Sequence, residues 1–284
     1  MKKYYLIILL GLLSVTGFSF DPFLVQTGGN SILATGYWAN YGSPSDLYGI
    51  LNSAVSTQVL EYRRAGSETV ERELHILFFD PSEGGMAGIL EWVMDAGLVN
   101  DYRSISYTVS GSLSPTTNYG VKLKLDVEDI TTPGLDTYWL MASAGITGAT
   151  GDFVQYVAAF NNALIWTSLS NSTAEKLDLF VGFRIVTLPF RLGIEFGTRA
   201  GMNVRYAGIS LDLKLFDALA LRGGVSYNVD LNWTNSDVVV GGGFQLTAGN
   251  MGLSLGAGAN LNNTITDQNI DIEFMWGATF FGRW

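Results

Sequence analysis

Cysteine is absent from the 284 residues, and histidine occurs once, at position 75. These two absences exclude disulfide staples, thiolate metal sites, cysteine nucleophiles and lipoprotein acylation, and they leave His75 as the one imidazole for any triad or metal centre. Proline is scarce, at 6, and charged side chains make up only 15% of the chain. Beyond the first twenty residues no run of 18 apolar residues exists, so no helix is expected to cross a membrane. The balance of 16 basic against 26 acidic side chains gives a net charge of -10, which argues against nucleic acid as a partner. No P-loop, dinucleotide fingerprint or EF-hand occurs. Neither a metal site nor a cofactor is expected, and the chain does not read as an enzyme. What is present is glycine, at 34, a 13% share of aromatics and a positive mean hydropathy of +0.23. That composition points to an all-β chain in a partly apolar solvent.

Residues 1–19 read as a signal peptide. Lys2 and Lys3 precede an apolar run from Tyr4 to Val15, and the small residues Gly17 and Ser19 predict cleavage after Ser19. Without Lys2 and Lys3 the 16 basic residues fall to 14 against 26 acidic ones, a net charge near -12. A secreted chain of positive hydropathy with no spanning helix is expected in the bacterial outer membrane.

From about residue 100 the chain alternates with period two. Tyr119, Val121, Leu123, Leu125 and Val127 share one parity, and Lys122, Lys124 and Asp126 the other. Leu179, Val181, Phe183 and Ile185 alternate with Asp178, Gly182 and Arg184, following Lys176. The same pattern sets Leu192 and Ile194 against Arg191 and Glu195, Leu211 and Leu213 against Asp212 and Lys214, and Leu221 and Val225 against Arg222 and Gly224. Successive strand residues face opposite sides, so each segment has one apolar and one polar face. A soluble sandwich would bury the apolar face against a second sheet. A membrane barrel turns it to lipid and keeps the polar face inside. Segments of about 10 to 14 residues exceed ordinary soluble strands and suit a tilted span, which favours the barrel.

Counting back from the C-terminus gives strands near 270–284, 252–262, 236–248, 218–230, 202–215, 189–199, 175–188, 153–167, 136–147, 117–128, 102–113, 86–94, 73–80 and 55–63. The expected fold is thus a transmembrane antiparallel up-and-down β-barrel of about fourteen strands, the even number that single-chain barrels require. Short turns at one end and longer loops at the other fit this count, with the tight Ala200-Gly201 turn as an exception. The acidic run Asp126, Glu128, Asp129 and Asp136 is expected in a solvated outer loop, and the segments before residue 100 alternate less cleanly.

Residues 20–54 remain outside this count and are expected to form a plug or hatch in the lumen, preceding a barrel over 55–284. Ser43, Pro44 and Asp46 have the order of a helix start, with Leu47, Tyr48, Ile50 and Leu51 clustering on one face. A fifteenth strand over residues 32–39 and a periplasmic tail are the alternatives.

Two resemblances follow from quoted residues. Phe274, Trp276, Ala278, Phe280 and the terminal Trp284 share one parity, and this segment resembles the C-terminal signal of bacterial outer-membrane barrels, which implies the barrel-assembly machinery and outer-membrane lipid as partners. Ser45-Asp46-Leu47-Tyr48-Gly49-Ile50-Leu51-Asn52-Ser53 resembles the S-A-L-Y-x-N-P-A-G-L segment of FadL-type and PorV-like barrels, although the N-P-A-G element is missing. FadL-type members carry about fourteen strands, fold that segment into the lumen and move hydrophobic compounds; PorV-like members serve secretion and surface attachment.

The charges expected to line the lumen are Lys122, Lys124, Asp126, Lys176, Asp178, Arg184, Arg191, Glu195, Arg205, Asp212, Lys214 and Arg222. Such rings either select solutes or wedge a filled lumen through ion pairs. The inward glycines leave room for water or for the plug. His75 is expected on the lumen side, as a hydrogen-bonded histidine rather than half of a serine–histidine pair. The first functional reading is a monomeric channel for passive passage of small solutes, hydrophobic or amphiphilic. The other is an anchoring barrel with a sealed lumen that binds a periplasmic or surface partner.

Overall fold

Alternation of apolar and polar residues makes a strand with two unlike faces, and fourteen such strands in succession have one way to satisfy every backbone amide in lipid, which is to close. The computed structural model shows this closure. It describes residues 24, 26–27, 29–64, 66, 68, 70–81, 85–95, 101–129, 136–168, 176–265 and 272–284; the signal peptide expected over residues 1–19, residues 20–23 and most of the longer loops lie outside them. The strands are β1 (Ala54–Arg64), β2 (Val70–Asp80), β3 (Met86–Asp95), β4 (Asp101–Ser114), β5 (Thr117–Asp129), β6 (Thr137–Thr150) and β7 (Val154–Thr167). They continue as β8 (Asp178–Thr187), β9 (Phe190–Arg199), β10 (Val204–Phe216), β11 (Leu219–Asp230), β12 (Ser236–Ala248), β13 (Met251–Asn260) and β14 (Ile272–Arg283). Each pairs antiparallel with its sequence neighbours, and β1 pairs with β14 from Ala54–Arg283 to Arg64–Ile272, so the barrel is closed.

The parity predicted from sequence holds around the ring. Leu123, Phe183, Ile209 and Val225 are exposed on the outer face, between 41% and 57% accessible, whereas Lys122, Arg184, Glu195, Ser210 and Arg222 are buried on the inner one. So much contiguous apolar exposure would be an aggregation liability in water and is the expected surface against hydrocarbon. Phe183→Arg places a charge on this face and should destabilise the folded barrel by about 2–4 kcal/mol near the midplane, less towards either interface. Urea titration in lipid vesicles measures it; a neutral result would remove lipid from that face.

The tight turns lie at one end, between β4 and β5, β6 and β7, β8 and β9, β10 and β11, and β12 and β13, together with the start of β1 and the end of β14. At the opposite end, residues 200–203 make the one tight connection, with Ala200, Gly201 and Met202 all at positive φ. Phe274, Trp276 and Phe280 stand on the outer parity of β14. The Trp284 amide closes the ring by donating to the Ser53 carbonyl at 3.0 Å.

Residues 32–39 are no wall strand. Ile32, Leu33 and Ala34 are fully buried inside the ring, and Gly36–Tyr41 forms a 3₁₀ helix. The helix read at Ser43 is a single 3₁₀ turn, Pro44–Leu47, and the Ser43 side chain caps nothing, its hydroxyl lying 2.6 Å from that of Ser45. Of the five residues assigned to the plug, Asp46, Leu47 and Ile50 are buried, but Tyr48 is 38% and Leu51 86% exposed, because the chain extends at Tyr48 and leaves the lumen towards β1.

Candidate functional site

The interior is built by what the inner wall lacks. Where the strands carry glycine, the segment from residue 24 to 50 lies directly on their backbone. A Cβ on Gly120 would sit 2.2 Å from the Pro44 carbonyl carbon, and one on Gly224 would sit 2.1 Å from the Thr27 carbonyl oxygen. A Cβ on Gly208 would overlap the Asn30 side chain. The inward glycines therefore hold this segment rather than water.

Polar side chains of the wall then satisfy the backbone of a segment that has little regular structure of its own, as buried peptide groups require. Glu195, wholly buried on β9, accepts the amides of Ser31 (2.9 Å) and Ile32 (2.6 Å) on one carboxylate oxygen. Arg199 donates to the Gly29 carbonyl at 2.6 Å, and Asn30 donates to the carbonyls of Val225 and Ile209 at 3.1 and 3.2 Å. Gln26 donates to Ser254 at 2.8 Å.

Arg184 joins the two arms of the segment. Its guanidinium donates to the Ile32 carbonyl at 3.1 Å and to both oxygens of Asp46, and its Nε donates to Gln155 at 2.5 Å. Thr147 supports the same carboxylate at 2.8 Å. A two-pronged guanidinium–carboxylate contact fixes orientation as well as charge.

A third anchor holds Asn40. Its side-chain amide donates to Glu91 at 2.7 Å, its side-chain oxygen accepts from Thr108 at 2.7 Å, and its carbonyl accepts from Lys122 at 3.3 Å. Glu91 is the hub: it also takes Ser106 at 2.9 Å, Lys122 at 3.3 Å and His75 Nδ1 at 3.1 Å. The other His75 nitrogen faces Glu73 at 3.1 Å. With a carboxylate on each ring nitrogen, the imidazole is oriented as a bridge between two acids, and the Ser106 hydroxyl donates its hydrogen bond to Glu91 rather than to His75.

Elsewhere the contact is apolar. Ala39, Leu47 and Ile50 pack on Leu77, Phe79, Ala87 and Ile89 of β2 and β3. Tyr37 meets Phe79 of β2 edge-on at 5.0 Å and stacks on Phe281 of β14 at 6.2 Å, and the Tyr41 hydroxyl donates to Gln58 of β1 at 2.8 Å.

The sequence-assigned lumen charges divide accordingly. Lys122, Arg184, Glu195 and Arg222 touch the segment directly, and Arg191 reaches the Thr35 hydroxyl at 2.7 Å and pairs with Asp212. Asp126 is buried between Lys124 (3.1 Å) and Lys176 (3.5 Å), and Lys176 also lies over the Trp139 ring. Asp126 is thus inside the ring and not part of a surface acidic loop. Among the described residues no group of three potential ligands could hold a metal ion. Asp178 accepts the Ala200 amide at 3.0 Å and supports the tight turn. Lys214 sits at the short-turn rim, 2.8 Å from Asp217. Arg205 corrects the expectation. It has the parity of Leu211 and Leu213, stands exposed on the outer face, and lies 5.5 Å over the Trp233 ring. Its place near the loop end of β10 explains this, since a cation beside an aromatic ring is tolerated where headgroups replace hydrocarbon. The contributions of Asn30, Asn40 and Glu91 were missed, because single polar residues in an irregular segment or a weakly alternating strand carry no periodic signal.

Two recesses stand out among the described residues. One, of about 530 Å³, is an apolar hollow on the outer face of the wall across β6 to β9, with Ala144, Ala158, Phe160, Val181 and Phe196 around it. The other, of about 660 Å³, opens at the short-turn end beneath Arg191 and Asp212.

No family model and no curated protein sequence matches the chain. Solved structures do. The toluene transporter TbuX of Ralstonia pickettii superposes with a TM-score of 0.67 at 11% identity, over 95% of this chain and 100% of that one. The monoaromatic hydrocarbon channel CymD gives 0.68 at 9% identity, over 93% and 97%. A FadL homologue of Pseudomonas aeruginosa gives 0.61 at 9% identity, over 94% and 98%. Such identities speak for architecture alone: the chain shares the fourteen-strand barrel fold of FadL-type outer-membrane channels.

Proposed function

We propose that this chain is a passive outer-membrane channel for small apolar or amphiphilic solutes, with residues 24–50 as its plug. The observation that carries this reading is the lumen itself. A barrel that served only to anchor a partner has no need of a segment held by side chains that also stay satisfied within the wall, as Glu91, Lys122 and His75 do. The fold shared with proteins named as hydrocarbon channels supports an apolar cargo. The plug is held but not covalently sealed, which suits a gated path. The outward aromatics of β14 and the terminal Trp284 are read as the signal to the assembly machinery. The test is the entry rate of an apolar fluorophore, N-phenylnaphthylamine, into vesicles with a lipopolysaccharide outer leaflet. Reconstituted full-length protein should speed entry over protein-free vesicles. Equal rates, both for the full chain and for a chain lacking 24–50, would overturn the reading.

A second reading has one observation in its favour. The number of buried polar contacts on the segment, from Gln26 to Asp46, suits a permanently sealed lumen. It predicts no entry with the full chain and rapid entry of ions once the segment is removed.

A further inference from the structure

Arg205 is a cation on the lipid-facing side of the wall, and strand register joins it to the outer hollow. It is the second residue of β10, at the loop end, and lies beside Thr198 of β9. The same rung continues through Leu179 of β8 and Phe160 of β7 to Ala144 of β6. Depth changes along it. Thr198 and Leu179 stand next to the loop ends of their strands, whereas Phe160 and Ala144 stand at the middle of theirs. The hollow of about 530 Å³ follows this line, with Ile146, Ala158, Val181 and Phe196 on the next rung towards the short turns. Ala144 and Ala158 have no side chain beyond Cβ, which gives the hollow its depth. An apolar trough thus climbs from mid-wall on β6 to the rim at β10.

At the rim the Arg205 guanidinium lies 5.5 Å over the Trp233 ring, and among the described residues no carboxylate pairs with it. Stacking uses the face of a guanidinium and leaves the N–H groups in its plane for an outside acceptor. Trp233 is 66% exposed, and an exposed indole is a side chain of the headgroup level. A cation and an indole at the rim, continuous with an apolar trough, match an amphiphile with an anionic head and a hydrocarbon tail. In single-chain outer-membrane barrels the short turns are periplasmic and the longer loops extracellular, so that head belongs to the outer leaflet. A phosphate monoester carries about -1.5 to -2 charge and can take two parallel hydrogen bonds from one arginine. We propose that the outer face of β6 to β10 is a binding site for a phosphorylated glycolipid of the outer leaflet, of the lipid A class, with one phosphate on Arg205 and one acyl chain along the hollow. An uncharged hydrocarbon has no use for Arg205, and binding here is measured with no solute passing, so this site stands or falls separately from the channel reading.

Native mass spectrometry of the purified full chain, released from detergent micelles after titration with lipid, counts bound molecules. The probes are diphosphoryl lipid A, the same lipid A with both phosphates removed, and phosphatidylglycerol, whose phosphate is a diester of single charge. Diphosphoryl lipid A should load one copy per barrel and bind about tenfold more tightly than either of the others. Arg205→Gln should abolish that preference and change the dephosphorylated lipid by less than about twofold. Ala158→Phe fills the hollow without bringing a polar group to the lipid face, and it should weaken both forms of lipid A. Retained heat-modifiable mobility reports that each variant is folded; if Ala158→Phe does not fold, Ala144→Val narrows the same hollow and should act in the same direction. Equal binding of the two forms of lipid A, a preference that survives Arg205→Gln, or unchanged binding in the hollow variants would overturn the proposal. Phosphatidylglycerol bound as tightly as lipid A would overturn the assignment to the outer leaflet. A lipid-free dimer that Ala158→Phe breaks would overturn it in favour of a contact between two copies of this chain.

Discussion

Deleting residues 24–50 should leave a folded barrel whose ion conductance in a planar bilayer is several-fold higher than that of the full chain. The argument rests on two properties of the wall. Its backbone is paired strand to strand around the whole ring, so removal of the segment leaves no spanning amide without a partner. Its inner face is polar across β8 to β12, so the vacated space fills with water. Arg184 and Arg222 then face permeating ions instead of Asp46 and Gln26, and the raised current should favour anions. Arg184→Glu and Arg222→Glu in the shortened chain should turn that preference towards cations. Single-channel traces and reversal potentials in a salt gradient measure both effects. Unchanged conductance would mean that wall side chains close the bore by themselves.

Arg184→Ala should release the segment without cutting it. Arg184 and Asp46 are 4% and 3% exposed, and removal of one partner from so buried a pair costs about 3–5 kcal/mol, chiefly because the other charge is stranded. Asp46 has an escape that most buried carboxylates lack: its arm of the segment can leave the lumen for water. The expected result is a heat-modifiable barrel whose residues 24–50 are cut by protease added from the periplasmic side. The full chain should resist under the same conditions. Pairing Arg184→Gln with Asp46→Asn removes both charges and keeps hydrogen bonding, so it should restore most of the protection. A segment that stays protected in Arg184→Ala would show that the Glu195 and Glu91 anchors suffice.

The wall was legible in the sequence wherever its two faces meet two different solvents. From β4 onward, lipid lies outside and a polar lumen inside, and the strand limits read from alternation fall within a few residues of those observed. β2 and β3 alternate poorly for a physical reason. Leu77, Phe79, Ala87 and Ile89 face inward onto Leu47 and Ile50, so both faces of these strands are apolar and the period-two signal fades. The inner segment was legible as a remainder, a stretch of chain that no strand claimed, but its conformation was not. Its shape comes from wall groups distant in sequence, such as Glu195 beneath Ser31 and Arg184 between Ile32 and Asp46, and no local pattern encodes those pairings. Arg205 was misplaced because its charge was weighed above its parity. Most of the assigned charges were legible as inward-facing, but which of them hold the inner segment was not, since that depends on where the segment lies.

Tyr37 touches β2 on one side and β14 on the other, and Tyr41 reaches β1 between them. These are the strands at which the ring is sewn shut, where Ala54 pairs with Arg283 across nearly the whole length of the chain. A pairing between such distant residues carries a large closure entropy and forms late. Contacts that gather both sides of the seam lower that entropy before the first seam hydrogen bond is made. The segment inside the lumen is thus expected to bear on the timing of closure as well as on the finished wall. A chain without it is therefore expected to reach the same closed ring more slowly and to spend longer with two strand edges unpaired.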